Sequence, residues 1–418
     1  MECKSLDDGM VLRNACADDI PAIIAHVRAV HGEEVVDGIR AMYESHPRMS
    51  WEDTFVIANP DDGTIISSLV LLSGTWLLDG VEVETAQMEV VGTLEEYRHR
   101  GYSRILNEAF ERRVAEIGPV ILVIAGTPYF YRNFGYEYAS PLGGAYPVAS
   151  TLIPRLPEGE NEPVTIEEVT QQRIKDFLEF RSVHLPTGTW LKDIREEDFQ
   201  YYSFDCSKTD TEGWFFHLVR EKKRLVGVFV LSRWAKNVDI ICLHLKNHVH
   251  LDSVLRFASA RAREWNNQTI RVAPPNQPVV HEYLRSIASV DMQQRYAWYV
   301  KIPSIQRFIE TLSPVLSQRL RNSEYNKHET TLKMTDYKRG FSIRFSDGRF
   351  EGVSSMNERD LGKYDLAAPT GPLTRLLMGY ETLDELKSHE PDVLCKAISV
   401  PLVRTLFPKV NATVDPFY

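Results

Sequence analysis

Cysteine is scarce in this sequence and never clustered. Five thiols (Cys3, Cys16, Cys206, Cys242 and Cys395) are scattered over 418 residues, an odd number with no C-x-x-C spacing, which argues against a disulfide framework, a zinc site or a dithiol redox pair. They read as buried free thiols in a reducing cytoplasm. Long apolar runs are missing too: none approaches the roughly 20 residues that a bilayer crossing needs. The start, MECKSLDDGM, is too acidic and polar for a secretory leader, so a cytoplasmic protein with no membrane partner is expected. Nor is there an excess of positive charge. With 48 Lys and Arg against 58 Asp and Glu the formal net charge is −10, which argues against a general nucleic-acid binder, because phosphate backbones are held by broad clusters of cations. That balance suits a cationic small substrate. No segment is of low complexity, and the length has room for about two to four domains.

What is present is a plan used twice. Residues 11–31, VLRNACADDIPAIIAHVRAVH, read as a strand, a polar turn and a helix with Asp18 or Asp19 near its start and Ile20, Ile24 and Val27 on one face. Residues 164–184 align with them without a gap and share the ending Arg-x-Val-His, Arg28 to His31 and Arg181 to His184. A predicted hairpin at 54–71 is matched in the same way by 214–231. The same elements in the same order indicate an internal duplication, its copies joined by the linker-like RLPEGENEPV at 155–164. A third region begins near Lys301. It holds a hairpin, FSIRFSDGRFEGV, turning at Asp347-Gly348, and an amphipathic helix pattern in LTRLLMGYETLDEL with Leu373, Leu376, Leu377 and Tyr380 on one side.

Within the first copy, YRHRGYSRIL (97–106) packs three arginines and a histidine around one glycine. The strand QMEVVGT precedes it. Tyr102, Ile105, Leu106, Ala109, Phe110, Val114 and Ile117 follow at helical spacing until Gly118-Pro119 stops the helix. The turn therefore sits at a helix N-terminus, where unpaired amides and the helix dipole favour an anion. Arg98, His99, Arg100 and Arg104 add charge, and Gly101 leaves the backbone bare, so a diphosphate fits. At the matching places in the second copy stand Asn247 and His250, which offer neither feature. His244, His248 and His250 lack the cysteine or carboxylate that would complete a metal set, so no metal is expected.

Arg98-His99-Arg100-Gly101-Tyr102-Ser103 resembles motif A of the GNAT acetyltransferases, Q/R-x-x-G-x-G/A, with serine in the last place. Tyr131-x-x-Phe134-Gly135-Tyr136 resembles their motif B. The resemblance implies an α/β (α+β) fold that binds acetyl-CoA, with Val91, Gly92 and Thr93 on the splayed strand beside the pantetheine arm. Gly92 is expected to mark a bulge there. It also implies that Arg98, His99, Arg100, Gly101, Tyr102, Ser103 and Arg104 hold the diphosphate, and that Gly126 and Thr127 line the cofactor. Along nearly its whole length the chain resembles the Eis-type (enhanced intracellular survival) enzymes. That likeness implies a catalytic GNAT domain at 1–150, a degenerate second copy at 151–300 and a sterol-carrier-like domain at 301–418.

In the Eis-type family Tyr131 corresponds to the general acid and the terminal carboxylate, here that of Tyr418, to the general base. Such a base needs desolvation, for which Phe417 is a candidate. Glu89 is the rival base. The implied acceptor is a small-molecule amine (an aminoglycoside, a polyamine or a lysine side chain), which an acidic pocket would suit, and the implied assembly is a hexamer. Two other readings stay open: a long-chain acyltransferase of the N-myristoyltransferase kind, and a lipid carrier using residues 301–418.

Overall fold

A computed structural model describes residues 3–184, 187–205, 212–234, 237–273, 278–292 and 296–413. The first unit contains β1 (Lys4–Ser5), β2 (Val11–Asn14), α1 (Ile20–His31), α2 (Val36–Ser45), β3 (Thr54–Ala58), β4 (Ile65–Leu78), β5 (Val81–Thr93), α3 (Tyr102–Ile117), β6 (Ile121–Ile124) and β7 (Glu137–Leu142). Alternation along β3 sends Phe55 and Ile57 toward Leu106 and Phe110 of α3, and Val56 and Ala58 toward Ile23, Ile24 and Val27 of α1. The sheet is thus covered on both faces, as its continuous apolar strands require. Helix α3 ends as the sequence indicates, with Gly118 at φ +63°.

The second unit contains β8 (Tyr146–Ala149), β9 (Thr165–Glu168), α4 (Ile174–Val183), β10 (Thr189–Lys192), α5 (Glu196–Gln200), β11 (Glu212–Glu221), β12 (Arg224–Trp234), β13 (Asn237–Leu245), α6 (Leu251–Glu264), β14 (Thr269–Val272), α7 (Pro278–Ile287) and β15 (Tyr296–Lys301). Its order β9-β11-β12-β13-β14 repeats β2-β3-β4-β5-β6 of the first sheet, with the same antiparallel hairpins and one parallel step. The duplication therefore extends to topology. The first sheet then takes its next strand from the second unit, since β15 pairs with β6 and β7, while β8, which precedes the linker-like stretch at 155–164, pairs with β14. Strand β10 also leaves its unit and pairs with β4. The two units are interleaved rather than consecutive along the chain.

The carboxy-terminal unit has α8 (Ile305–Thr311), α9 (Ser313–Arg321), β16 (Thr330–Thr335), β17 (Gly340–Ser346), β18 (Arg349–Met356), β19 (Leu366–Ala367), α10 (Thr370–Leu377), α11 (Leu383–His389), β20 (Leu394–Cys395), α12 (Val400–Leu406) and β21 (Asn411–Thr413). The turn of the β17-β18 hairpin has both Asp347 and Gly348 at positive φ, +50° and +66°, as a two-residue primed turn demands. The single helix expected in LTRLLMGYETLDEL is instead two. Gly379 at φ +67° ends the first, and Thr382 caps the second by a reciprocal bond with Glu385, which puts Tyr380 outside both. One apolar core runs from Trp76, Trp190 and Trp298 into Phe308, Leu316 and Leu376, so this unit is fused to the first sheet. The expectation of buried thiols holds only in part: Cys242 is buried and Cys395 half-buried, Cys3 and Cys16 are exposed, and Cys206 lies outside the described residues. Among the described residues no helix is long and apolar enough to cross a membrane.

Candidate active site

The site begins where two parallel strands part. Strands β5 and β6 pair from Thr85–Ile121 to Gln87–Val123, and beyond that β5 stays with β4. A wedge opens between Glu89–Thr93 and Ile124–Thr127. The cause lies in β5: its register against β4 shifts between Ser68 and Val70, and Val90 takes φ +51°, a conformation that a β-branched residue adopts only when its surroundings enforce it. Ser68 Oγ donates to Val90 O at 2.9 Å, Ser67 Oγ donates to Gly92 O at 2.7 Å, and Ser67 Oγ lies 2.7 Å from Thr93 Oγ1. These bonds fix the frayed strand end. The bulge is thus at Val90 rather than at the expected Gly92. Gly92 answers a packing need, since a Cβ there would lie 2.6 Å from Val30 and 3.1 Å from His31 Nε2. Cys242 in β13, at φ +49° beside a matching register shift, preserves the bulge in the second copy.

A cavity of about 570 Å³ occupies the wedge. Glu89, Val91, Gly126, Thr127 and Tyr131 all line it, as do His31, Tyr201, Tyr202, Trp214 and Tyr296, which the motifs do not point to. Gln87 Nε2 donates to Glu89 Oε1 at 2.5 Å, and Lys192 Nζ of β10 donates to Gln87 Oε1 at 3.4 Å. Burial raises the Glu89 carboxyl to about 7 against the opposing pull of Gln87 and Lys192. Its alternation with Gln87 along β5 was the available signal, but the contribution of Lys192 was not legible from 105 residues away. Tyr131 is 5% exposed, and burial, then Glu89 and Tyr299, hold its phenol above the ordinary range. Its ring lies against Gly126, where a Cβ would be 2.2 Å from Cε2. Two tyrosines of β15 brace this loop: Tyr296 OH donates to Gly126 O, and Tyr299 OH accepts from Tyr129 N at 2.6 Å.

The basic turn follows β5 directly, and none of Gly92, Thr93 or Arg98 to Arg104 lines the cavity. Gly101 occupies the α3 N-cap at φ +85° with no side-chain cap; Arg104 N donates to Gly101 O at 3.0 Å, which leaves the Tyr102 and Ser103 amides to other partners. Arg98, His99, Arg100 and Arg104 are exposed, with Arg100 over the Tyr97 ring at 4.8 Å, and Ser103 is half-buried. The Tyr102 side chain instead turns into the core and donates to Asp8, so only its amide can face an anion. In the second copy the same connection is shorter, 246–250 against 94–101, and His250 at its N-cap has φ −87°. His244, at the Gly92 position, is a buried ring held well below its usual value by burial, to about 3. Among the described residues no cluster of His, Cys, Asp and Glu is arranged to hold a metal. Tyr418 and Phe417 lie outside the described residues.

Parted parallel strands, a bulged strand and an uncapped helix start make up the geometry of this site. Residues 11–139 match the family described as "Acetyltransferase (GNAT) domain", and the chain is an acyltransferase enzyme that carries this domain in its first unit. Solved structures share the architecture over its full length. A conserved protein from Enterococcus faecalis, described as a probable N-acyltransferase, is 14% identical with a TM-score of 0.73, covering 98% of this chain and 100% of that one. A GCN5-related N-acetyltransferase from Anabaena variabilis is 15% identical with a TM-score of 0.70, covering 97% and 99%. Eis1 from Mycobacterium abscessus is 11% identical with a TM-score of 0.59, covering 97% and 100%. At these identities the likeness is one of fold. A search of curated protein sequences found no match.

Proposed function

We propose that the chain transfers an acetyl group from acetyl-CoA to a primary amine by direct attack, with Glu89 as base and Tyr131 as hydrogen-bond donor to the leaving sulfur. The observation that carries the reading is the single cavity where Glu89 and Tyr131 meet, bounded by the frayed end of β5. In the step itself the amine nitrogen bonds to the thioester carbon, Glu89 accepts the nitrogen's proton, the C–S bond breaks, and the thiolate leaves toward the Tyr131 hydroxyl. Backbone amides of Val91 to Thr93 are suited to the oxyanion. Because burial disfavours tyrosinate, Tyr131 acts mainly by stabilising the thiolate while keeping its own proton. Residues around Gly101 hold the diphosphate. The Eis-type assignment belongs to this same proposal, supported by the likeness in fold to Eis1 over 97% of this chain, and the sterol-carrier-like nature of the last unit and hexameric assembly are carried into it from the resemblance in sequence.

The direct test is release of free thiol from acetyl-CoA on addition of amines; an amine library that produces none rejects the reading. Tyr131→Phe is expected to lower kcat by about 10²-fold with acetyl-CoA affinity nearly intact, and a fully active variant removes Tyr131 from the chemistry. Gly101→Ala places an L-residue at φ +85°, and the strain of about 1–2 kcal/mol should appear as a rise of about tenfold in the KM for acetyl-CoA. Its kcat should hold.

A further inference from the structure

The cavity that meets Glu89 is walled mainly by carbon. Val35, Ile39 and Met42 form one side, and Tyr201, Tyr202 and Trp214 of the second unit form the other. Among the described lining residues Glu89 supplies the one carboxylate, no Lys or Arg takes part, and His31 is kept neutral by burial. Among the described residues the lining is therefore aromatic rather than acidic. We infer that the acceptor is a monoamine with an apolar, aromatic-sized body, and that polyamines and aminoglycosides are poor acceptors. This rests on the acyl-transfer reading and narrows its substrate class.

Two physical reasons converge. A single ammonium can be matched by Glu89 and by the aromatic faces around it. A second or third ammonium would be stripped of water with no second carboxylate among these described residues to offset it, a large penalty. Proton transfer points the same way. A free alkylamine titrates near about 10.4, far above Glu89 at about 7, so transfer in water would be uphill. Burial in the aromatic cavity lowers an ammonium's pKa just as it raises that of Glu89. The two then approach each other, and the neutral amine needed for attack becomes accessible. A polycation that kept the cavity wet would lose this match.

The test measures thiol release from acetyl-CoA by the full chain with n-butylamine through n-octylamine, 2-phenylethylamine, spermidine and kanamycin. kcat/KM is expected to climb roughly fourfold per methylene until the cavity is filled, and phenylethylamine to exceed spermidine by about 10²-fold. Trp214→Ala should raise the KM for phenylethylamine and leave that for acetyl-CoA unchanged. Spermidine or kanamycin turned over as well as phenylethylamine overturns the inference while leaving acyl transfer intact. Turnover of none of them defeats the acyl-transfer reading first, and a binding measurement then decides the inference. Saturable quenching of fluorescence by phenylethylamine that is lost in Trp214→Phe upholds it, and the absence of such quenching overturns it.

Discussion

Glu89→Gln is expected to lower kcat/KM by about 10²- to 10⁴-fold and, at the same time, to make the protein harder to unfold above neutrality. Both effects follow from one placement. Burial in the wedge lifts the Glu89 carboxyl from an ordinary 4.5 to about 7, so the folded chain holds this proton where the unfolded chain has released it. Between those values the folded state binds more protons than the unfolded state, and stability falls as pH rises through the window. Glutamine cannot ionise, so the variant should lose that slope and melt higher than the parent at pH 8. In the parent, kcat/KM should rise through a pKa near 7 as Glu89 ionises. The variant should lack that limb. Thermal melts at pH 5 and pH 8 together with a pH–rate profile are the measurements. A variant with full activity and an unchanged limb would move the base elsewhere, and the terminal carboxylate of Tyr418 would be the next to test by removing that residue.

Asp198→Ala is expected to cost about 3 kcal/mol of stability, the largest single loss we foresee away from the wedge. Asp198, on α5 of the second unit, takes Arg48 of the first in a two-pronged pair: Nε to Oδ1 at 2.7 Å and a terminal nitrogen to Oδ2 at 2.5 Å. The two side chains are 18% and 6% exposed, so removing the carboxylate strands a guanidinium that water reaches poorly. Asp198 also accepts the Arg195 amide at 2.9 Å, which holds the start of α5. The pair Arg48→Met with Asp198→Leu should restore most of the loss, because an apolar contact replaces the ion pair instead of halving it. Denaturant unfolding of the three proteins measures this. Since Tyr201 and Tyr202 follow α5 directly and wall the cavity, Asp198→Ala should also raise the KM for the amine while acetyl-CoA binding holds.

The parts legible in the sequence were those whose physics is local. The strand, glycine and helix periodicity from 87 to 118 specify an uncapped helix start surrounded by cations, and the structure has it. The hairpin turn at Asp347-Gly348 needs only its own two residues. Similarly, the repeated strand-turn-helix plan could be seen because each copy keeps its own apolar period. Errors came where a local pattern met a distant contact. Tyr380 fits the helical period, but Gly379 packs so closely on Val410 that the chain must turn there. Gly92 looks like a bulge in isolation, whereas it is α1 crossing over it that requires a bare backbone.

By itself, then, the sequence determined the GNAT-like turn, the duplicated strand order and the positions of Glu89 and Tyr131, because periodicity, turn chemistry and motif spacing act over a few residues. Only the tertiary structure decided how the site is finished. Strand β15 crosses from the second unit to brace the Tyr131 loop, β10 brings Lys192 to Gln87, and α5 delivers the aromatic wall that faces Glu89. The acidity of Glu89 and the chemistry of its cavity are set by these burials between segments far apart in the chain, and desolvation is a property of the packed whole that no short stretch of residues carries.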